Sequence, residues 1–172
     1  MILTKLKKQN FDRLFELMQE AFPPEEYRPK EKQYAILDDE NYFVAVAEDE
    51  EKIIAFLAIW RLDGFDFAEH FAVDKTLRGK GIGGEFLREY LKKSNRPLVL
   101  EVENAEDEIS KRRISFYQRN GLSLSDICYD QPNFQCSEKK IPLRIMYSEN
   151  GKTLDLARVK DTIFRLVYKQ KV

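Results

Sequence analysis

Residues 78–83 read Arg78-Gly79-Lys80-Gly81-Ile82-Gly83, which places three glycines within five residues. The apolar run 71–73 before them is typical of a strand end. After them, apolar residues recur at the spacing of one helix face, namely Ile82, Phe86, Leu87, Tyr90 and Leu91. Glycine inside a helix costs about 1 kcal/mol relative to alanine. The strand–glycine–helix pattern therefore predicts a helix N-terminus whose free N–H groups, with Arg78, bind a phosphate or pyrophosphate. A tight turn without a ligand is the alternative.

The composition predicts a single globular domain. The chain has 172 residues, of which 43% are hydrophobic, which is enough for one good core. Basic and acidic residues balance at 29 and 30, so no electrostatic footprint of a nucleic-acid binder exists. No apolar run approaches the roughly 18 residues of a membrane span, and the N-terminus lacks a signal-peptide core. We therefore expect a cytoplasmic protein that binds neither nucleic acid nor membrane.

The two cysteines, Cys128 and Cys136, lie close together in the sequence. Two thiols and the single histidine, His70, make no zinc ligand set, so we expect no metal. A disulfide is conceivable, but two reduced thiols are the expectation for a cytosolic protein.

The order of predicted elements indicates an α+β (mixed α/β) fold. Strands are predicted over 1–6, 42–47, 52–61, 65–73, 122–127 and 142–147, and a further strand begins at Pro97. Helices are predicted after the N-cap Asn10, over 29–37, after the glycine loop and over 109–120, where Gly121 fits a left-handed C-terminal cap. The sheet should be antiparallel early and parallel around the glycine loop.

The C-terminal tail is expected to form an amphipathic helix after the turn at Asn150-Gly151. Its apolar stripe consists of Leu156, Val159, Ile163, Leu166 and Val167. We divide the chain into a domain over 1–148 and an extension over 149–172. The stripe should pack on the body or on a partner, and it would suit a homodimer contact.

A dinucleotide fingerprint is the rival interpretation of the glycines. Gly79, Gly81 and Gly84 satisfy G-x-G-x-x-G, and Glu101 and Glu103 could supply the acid that binds a ribose. Five residues, 74–78, separate the strand end from the first glycine, whereas that fingerprint follows its strand almost directly. The motif also follows an antiparallel hairpin. A dinucleotide-dependent oxidoreductase is therefore a remote alternative.

Three segments together resemble the GNAT superfamily of acetyl-CoA-dependent N-acetyltransferases. They are 71–73, the glycine loop 78–83, and Phe116-Tyr117-Gln118-Arg119-Asn120-Gly121. The resemblance implies a central mixed sheet of six to seven strands flanked by helices over 1–148, with the C-terminal helical extension outside it. It also implies acetyl-CoA as co-substrate.

The resemblance assigns the acetyl-CoA contacts to two stretches of backbone. The pyrophosphate would bind the loop residues Arg78, Gly79, Lys80, Gly81, Ile82, Gly83 and Gly84. The pantetheine amides would pair with Phe71, Ala72 and Val73 as an added strand, in a groove between the splayed strands 65–73 and 97–102. Asn104 matches an asparagine that many relatives place near the cofactor.

The same resemblance makes Tyr117 the general acid that protonates the departing thiolate, although a core tyrosine is the alternative. A tyrosine hydroxyl with a reference pKa of about 10 stays protonated at neutral pH. For the general base we predict Glu69, because a strand face shared with Phe67, Phe71 and Val73 would raise its pKa. His70 should point to the opposite face.

Glu101, Glu103 or a water chain compete with Glu69 for the role of base. We expect an N-acetyltransferase in which a primary amine attacks the thioester directly, and the alternative is a non-catalytic acyl-CoA-binding module. Tyr129, Phe134 and Trp60 could line the acceptor pocket, while Glu101 and Glu103 could attract a cationic amine, either a small molecule or a peptide.

Overall fold

A computed structural model describes residues 1–50, 52–130 and 141–169. Its strands are β1 (Thr4–Lys5), β2 (Tyr42–Asp49), β3 (Lys52–Leu62), β4 (Phe65–Val73), β5 (Leu98–Glu103), β6 (Leu122–Asp130) and β7 (Pro142–Ser148). Its α-helices are α1 (Phe11–Ala21), α2 (Lys30–Ala35), α3 (Ile82–Lys93), α4 (Glu108–Arg119) and α5 (Leu156–Leu166). Short 3₁₀ turns occupy Lys8–Asn10, Pro24–Glu26, Ile36–Asp38, Lys75–Leu77 and Glu149–Gly151.

The strands form one mixed sheet in the order β1-β2-β3-β4-β5-β7-β6. The pair β4–β5 is parallel, and the other neighbouring pairs are antiparallel. The predicted mixed sheet flanked by helices is therefore confirmed. The first strand covers only Thr4–Lys5, so it is much shorter than the strand predicted over residues 1–6. Asn10 precedes α1 but makes no side-chain cap, since it belongs to a 3₁₀ turn, whereas Gly121 adopts the predicted left-handed conformation with φ +91°.

Each face of the sheet buries its own apolar cluster. One cluster packs α1 and α5 on the sheet, and it contains Leu14, Met18, Val159, Ile163 and Val167. The other packs α3 and α4, and it contains Phe86, Leu87, Ile114 and Tyr117. The stripe of the C-terminal helix therefore packs on the body of the molecule, except for Leu166, which is exposed. Burial of each large apolar side chain contributes about 1.5–3 kcal/mol.

A β-bulge interrupts β4 at Glu69. Ala58 of β3 pairs with His70 and the next residue, Ile59, pairs with Ala68, so Glu69 has no opposite residue in the β3–β4 ladder. An extra residue reverses the alternation of side chains beyond it. Phe67 accordingly lies in the α1–α5 cluster and Phe71 in the α3–α4 cluster. The expectation that Glu69 shares one face with both phenylalanines is wrong.

The parallel strands β4 and β5 separate at the bulge. They pair only through Asp66–Leu98, Phe67–Val99 and Ala68–Leu100. The paired end is fastened by the buried Asp66 carboxylate, which accepts hydrogen bonds from the Tyr90 hydroxyl at 2.8 Å and from Arg96 Nε at 2.7 Å. Beyond Ala68 the two strands diverge, as the resemblance implied, and a groove opens between them.

None of the helices in the described part of the chain is both long and apolar enough to cross a lipid bilayer. Cys128 is an exposed free thiol, while Cys136 lies outside the described residues.

Candidate active site

A groove with a volume of about 610 Å³ lies between the diverging ends of β4 and β5. The glycine loop and the N-terminus of α3 line one part of it. Titratable side chains line another part, and they are Glu26, Glu69, His70, Glu101, Glu103, Arg112, Arg113, Tyr117 and Tyr168. Of the residues predicted to bind the cofactor, all but Lys80 and Asn104 line this groove.

Left-handed backbone explains the glycines of the loop. Gly79 and Gly81 have φ values of +78° and +83°, and a Cβ atom added to either would meet nothing within 4 Å. Conformation rather than crowding therefore demands glycine at both positions. Gly84 has a different reason, because a Cβ there would lie 3.0 Å from Asn120 Oδ1.

The start of α3 fits an anion. The helix begins at Ile82, and Gly81 provides no side-chain cap, so the first N–H groups of the helix have no intrahelical partner. These donors and the positive end of the helix dipole suit a pyrophosphate. Arg78 stands beside them, with its Nε donating to the Val73 carbonyl at 3.2 Å.

The open edge of β4 fits the pantetheine amides. Residues 71–73 line the groove, and β5 does not pair with them. An exposed strand edge can bind an extended ligand through main-chain hydrogen bonds.

Among the described residues no cluster of three or more His, Cys, Asp or Glu side chains could hold a metal ion.

Tyr117 reaches the groove from α4. Its ring lies 6.5 Å from that of Phe71 and 5.2 Å from that of Phe116, measured between centroids. Burial raises the pKa of the Tyr117 hydroxyl to about 12. Within the described residues nothing hydrogen-bonds to this hydroxyl, so it is a protonated donor available to a ligand in the groove.

Glu69 has an environment opposite to the predicted one. Arg28 donates to its two carboxylate oxygens at 2.8 and 2.9 Å. Burial acts to raise the pKa of Glu69, but the charge of Arg28 and the neighbouring His70 outweigh it and lower this pKa to about 2. The predicted rise in the pKa is therefore wrong. A carboxylate so strongly held as an anion is a poor proton acceptor at neutral pH.

His70 lies beside Glu69 rather than on the opposite face, as a consequence of the bulge. Its Nδ1 is 3.6 Å from a Glu69 carboxylate oxygen. Its Nε2 is 2.7 Å from the Glu26 carbonyl oxygen, which can only accept, so Nε2 donates. His70 and Arg28 together fasten the segment between α1 and α2 to the bulge.

Glu101 has the environment that the sequence predicted for Glu69. It lies on β5, and its two carboxylate oxygens accept hydrogen bonds of 2.5 Å from the Tyr129 and Tyr168 hydroxyls. Burial raises the pKa of Glu101 to about 7, and the two hydrogen bonds oppose that rise. A carboxyl group with this pKa can both accept and release a proton at neutral pH.

Sequence reasoning missed Arg28 and Tyr168. Both come from segments far from the glycine loop, and no motif marks either residue. The apolar stripe of the tail predicted a packed helix, but it gave no signal that Tyr168, the residue after the stripe, reaches the groove.

The remaining candidates occupy varied positions. Glu103 lines the groove and forms an ion pair of 3.0 Å with Arg113. Asn104 donates to Cys128 Sγ at 3.9 Å, outside the groove lining. Trp60 is buried against Tyr42, with ring centroids 5.0 Å apart. Phe134 lies outside the described residues.

Comparisons with known proteins agree with this architecture. The family model that describes the acetyltransferase (GNAT) domain matches residues 38–121 of this sequence, which contain the glycine loop and Tyr117. The chain is 35% identical over 107 residues to YjbC of Bacillus subtilis (strain 168), named as a candidate acetyltransferase. That match covers 61% of this chain and 54% of YjbC, so the chain spans about half the length of this curated relative.

Two solved structures show the same fold. A candidate acetyltransferase of the GNAT family from Bacteroides thetaiotaomicron has a TM-score of 0.91 and 32% identity, with coverage of 99% of this chain and 100% of that chain. A variant of the spermidine N-acetyltransferase SpeG from Vibrio cholerae has a TM-score of 0.67 and 14% identity, with coverage of 91% and 99%.

Proposed function

This chain belongs to the GNAT acetyltransferase family, and from that premise we propose that it transfers an acetyl group from acetyl-CoA to a primary amine. One observation carries the proposal. A single groove is lined by an uncapped helix N-terminus, by a protonated tyrosine and by a carboxyl group with a pKa of about 7. Anion binding, proton donation and proton acceptance are the three requirements of direct acetyl transfer to an amine.

The residues that would hold acetyl-CoA are those of the loop and of β4. The backbone at Gly79 and Gly81 and the first turn of α3 would bind the pyrophosphate, and residues 71–73 would bind the pantetheine amides. Acetyl-CoA supplies the activated thioester. The protein supplies the positions of the two reactants and the movement of their protons.

Glu101 is the general base that we propose in place of Glu69. An ammonium ion has no lone pair for attack, so its proton must leave before the C–N bond forms. Glu101 accepts that proton, since its pKa of about 7 matches neutral pH. Glu69, paired with Arg28, keeps its negative charge and fixes the wall of the groove.

Tyr117 is the general acid that we propose. As the C–N bond forms and the C–S bond breaks, the leaving thiolate takes the proton of the Tyr117 hydroxyl. When the adduct breaks down, its positively charged nitrogen loses a second proton to solvent, Tyr117 recovers a proton from solvent, and Glu101 releases its proton there. The balance is one acetyl group moved from sulfur to nitrogen, two protons lost by the ammonium ion, one proton gained by the CoA sulfur and one proton released to solvent.

The acceptor that we propose is a cationic amine. Glu26, Glu101 and Glu103 bring three carboxyl groups to the groove, and burial raises the pKa of Glu26. Arg113 offsets part of this charge through its ion pair with Glu103. Carboxylates in a narrow cleft attract an ammonium group and raise its local concentration.

Calorimetry and an acetyl-transfer assay test the proposal in two steps. Acetyl-CoA and CoA should bind to the purified protein, and NAD should not. A panel of polyamines, amino acids and peptides should then include an amine that releases CoA thiol in proportion to the acetylated product. Binding without transfer to any amine would favour an acyl-CoA-binding module, and NAD binding without acetyl-CoA binding would contradict the family-based proposal.

A further inference from the structure

The C-terminal tail reaches the groove through Tyr168. Val159, Ile163 and Val167 anchor α5 in the core, where each is at most 3% exposed. The chain leaves the helix at Leu166, and two residues later the Tyr168 hydroxyl lies 2.5 Å from Glu101 Oε2. The tail therefore arrives at the groove on a rigid support, although it lies outside residues 38–121 of the family match.

We propose that Tyr168 is a positioning residue that keeps Glu101 ionisable and correctly oriented for proton acceptance. This inference rests on the proposed function, in which Glu101 is the base. It assigns to the C-terminal tail a part in the site rather than a purely structural role.

The hydrogen bonds of Glu101 support this assignment. Tyr129 of β6 holds Oε1 and Tyr168 of the tail holds Oε2, so the carboxylate is fixed from two sides. The ring of Phe164 lies 5.3 Å from that of Tyr129 and 5.9 Å from that of Tyr168, between centroids. This aromatic packing fixes both hydroxyls relative to each other and lowers the entropic cost of holding the carboxylate.

The electrostatics around Glu101 give Tyr168 a measurable effect. Hydroxyl donors stabilise the carboxylate over the neutral acid, and they oppose the effect of burial. The other charged group that acts on Glu101 from the facing strand β4 is Glu69, which disfavours ionisation, although Arg28 pairs with it. From the segment between α1 and α2, Glu26 lines the groove and Arg28 pairs with Glu69, while His70 of β4 and Glu103 of β5 line the groove as well. Loss of the Tyr168 hydroxyl should therefore leave Glu101 harder to ionise.

Tyr168→Phe tests the proposal, because it removes the hydroxyl and keeps the ring that packs on Phe164. Carbon-13 NMR of side-chain carboxyl groups would follow the titration of Glu101, with Glu101→Gln identifying its resonance. We expect the Glu101 titration midpoint to rise by about one pH unit, which corresponds to the loss of one hydrogen bond. Acetyl-CoA affinity should stay the same, since the glycine loop is untouched.

Kinetics provide the second measurement. With the midpoint moved from about 7 to about 8, kcat/KM at pH 7 should fall about fivefold and should recover at pH 9. Tyr129→Phe is the matched variant, since it removes the equivalent hydrogen bond from the sheet side and should shift the same titration in the same direction. If Tyr168→Phe does not fold, Tyr168→Leu, whose side chain has no hydrogen-bond donor, replaces it in the NMR titration.

A pH-independent loss of activity with an unchanged Glu101 titration would overturn the proposal, because it is the result expected of packing alone. Absence of acetyl transfer by the wild-type protein would instead overturn the proposed function. The NMR titration would still decide in that case whether Tyr168 controls the ionisation of Glu101.

Discussion

Arg28 and Glu69 form a nearly buried, bidentate ion pair at the β-bulge of β4. The two hydrogen bonds measure 2.8 and 2.9 Å, and the side chains are 10% and 2% exposed. Parallel hydrogen bonds between a guanidinium and a carboxylate fix both partners in orientation as well as in charge. The pair therefore joins the segment before α2 to the strand that forms the groove.

Arg28→Met should destabilise the protein by about 3–5 kcal/mol, because it leaves the Glu69 carboxylate buried without its cation. Urea unfolding at pH 7 measures the free energy of unfolding. The control is the double variant Arg28→Met/Glu69→Leu, which removes both charges and should recover most of the loss. A double variant no more stable than the single one would show that the ion pair is not the source of the effect.

The stability that Glu69 contributes should depend on pH in the acid range. Its pKa is lowered from 4.5 to about 2 in the folded protein, so its contribution is fully present above about pH 4.5. That contribution is lost as the pH falls from there towards about 2. The stability advantage of the wild type over Glu69→Gln should narrow over this range in urea unfolding series. A constant advantage down to pH 2 would contradict the lowered pKa.

The order of elements and the place of the glycine loop follow from local patterns in the sequence, and both are confirmed. Gly79 and Gly81 mark their backbone conformation directly, since few other residues adopt a positive φ. The environment of Glu69 could not be predicted, because alternation with period two gives no sign of a bulge. Its partner Arg28 is 41 residues away, and Tyr168 is 67 residues from Glu101. Contacts at such separations depend on tertiary packing, which a single sequence does not display.

Tyr117→Phe should lower kcat by about 10²-fold or more and leave acetyl-CoA affinity unchanged, because only proton donation to the thiolate is removed. The free energy of unfolding of the Tyr117→Phe variant should differ little from that of the wild type, since no described residue hydrogen-bonds to the Tyr117 hydroxyl. Steady-state kinetics and calorimetry provide the two measurements.

Tyr90→Phe is the matched control for that variant. The Tyr90 hydroxyl donates to Asp66 at 2.8 Å, and neither residue lines the groove, so its loss should cost about 1.5–3 kcal/mol of stability without a change in kcat. Equal turnover by Tyr117→Phe and the wild type would remove Tyr117 from the mechanism.

Glu101→Gln should lower kcat/KM at pH 7 by about 10²-fold or more, because the proton acceptor is lost. In the wild type, the acidic limb of kcat/KM against pH should have its midpoint near 7, the pKa of Glu101. Rates fall below this pH as the carboxylate becomes protonated, and the limb should disappear in the Gln variant. The Glu103→Gln variant should retain the acidic limb, since Glu103 is paired with Arg113. A limb near pH 7 that persists in Glu101→Gln would assign the base to another group.

Gly81→Ala should weaken acetyl-CoA binding at least tenfold, or about 1.4 kcal/mol, because an alanine strained at φ +83° moves the amides at the start of α3. The strain itself should cost about 1–2 kcal/mol of stability.

Gly64→Ala is an unusually close control, since Gly64 also has φ +83° and open space around its Cβ position, but it lies in the β3–β4 turn away from the groove. Both variants should melt at a similarly reduced temperature, with a shift of about 2–4 °C per kcal/mol. Calorimetry should then detect the loss of affinity in Gly81→Ala alone, and equal affinities in the two variants would show that the loop backbone does not bind the cofactor.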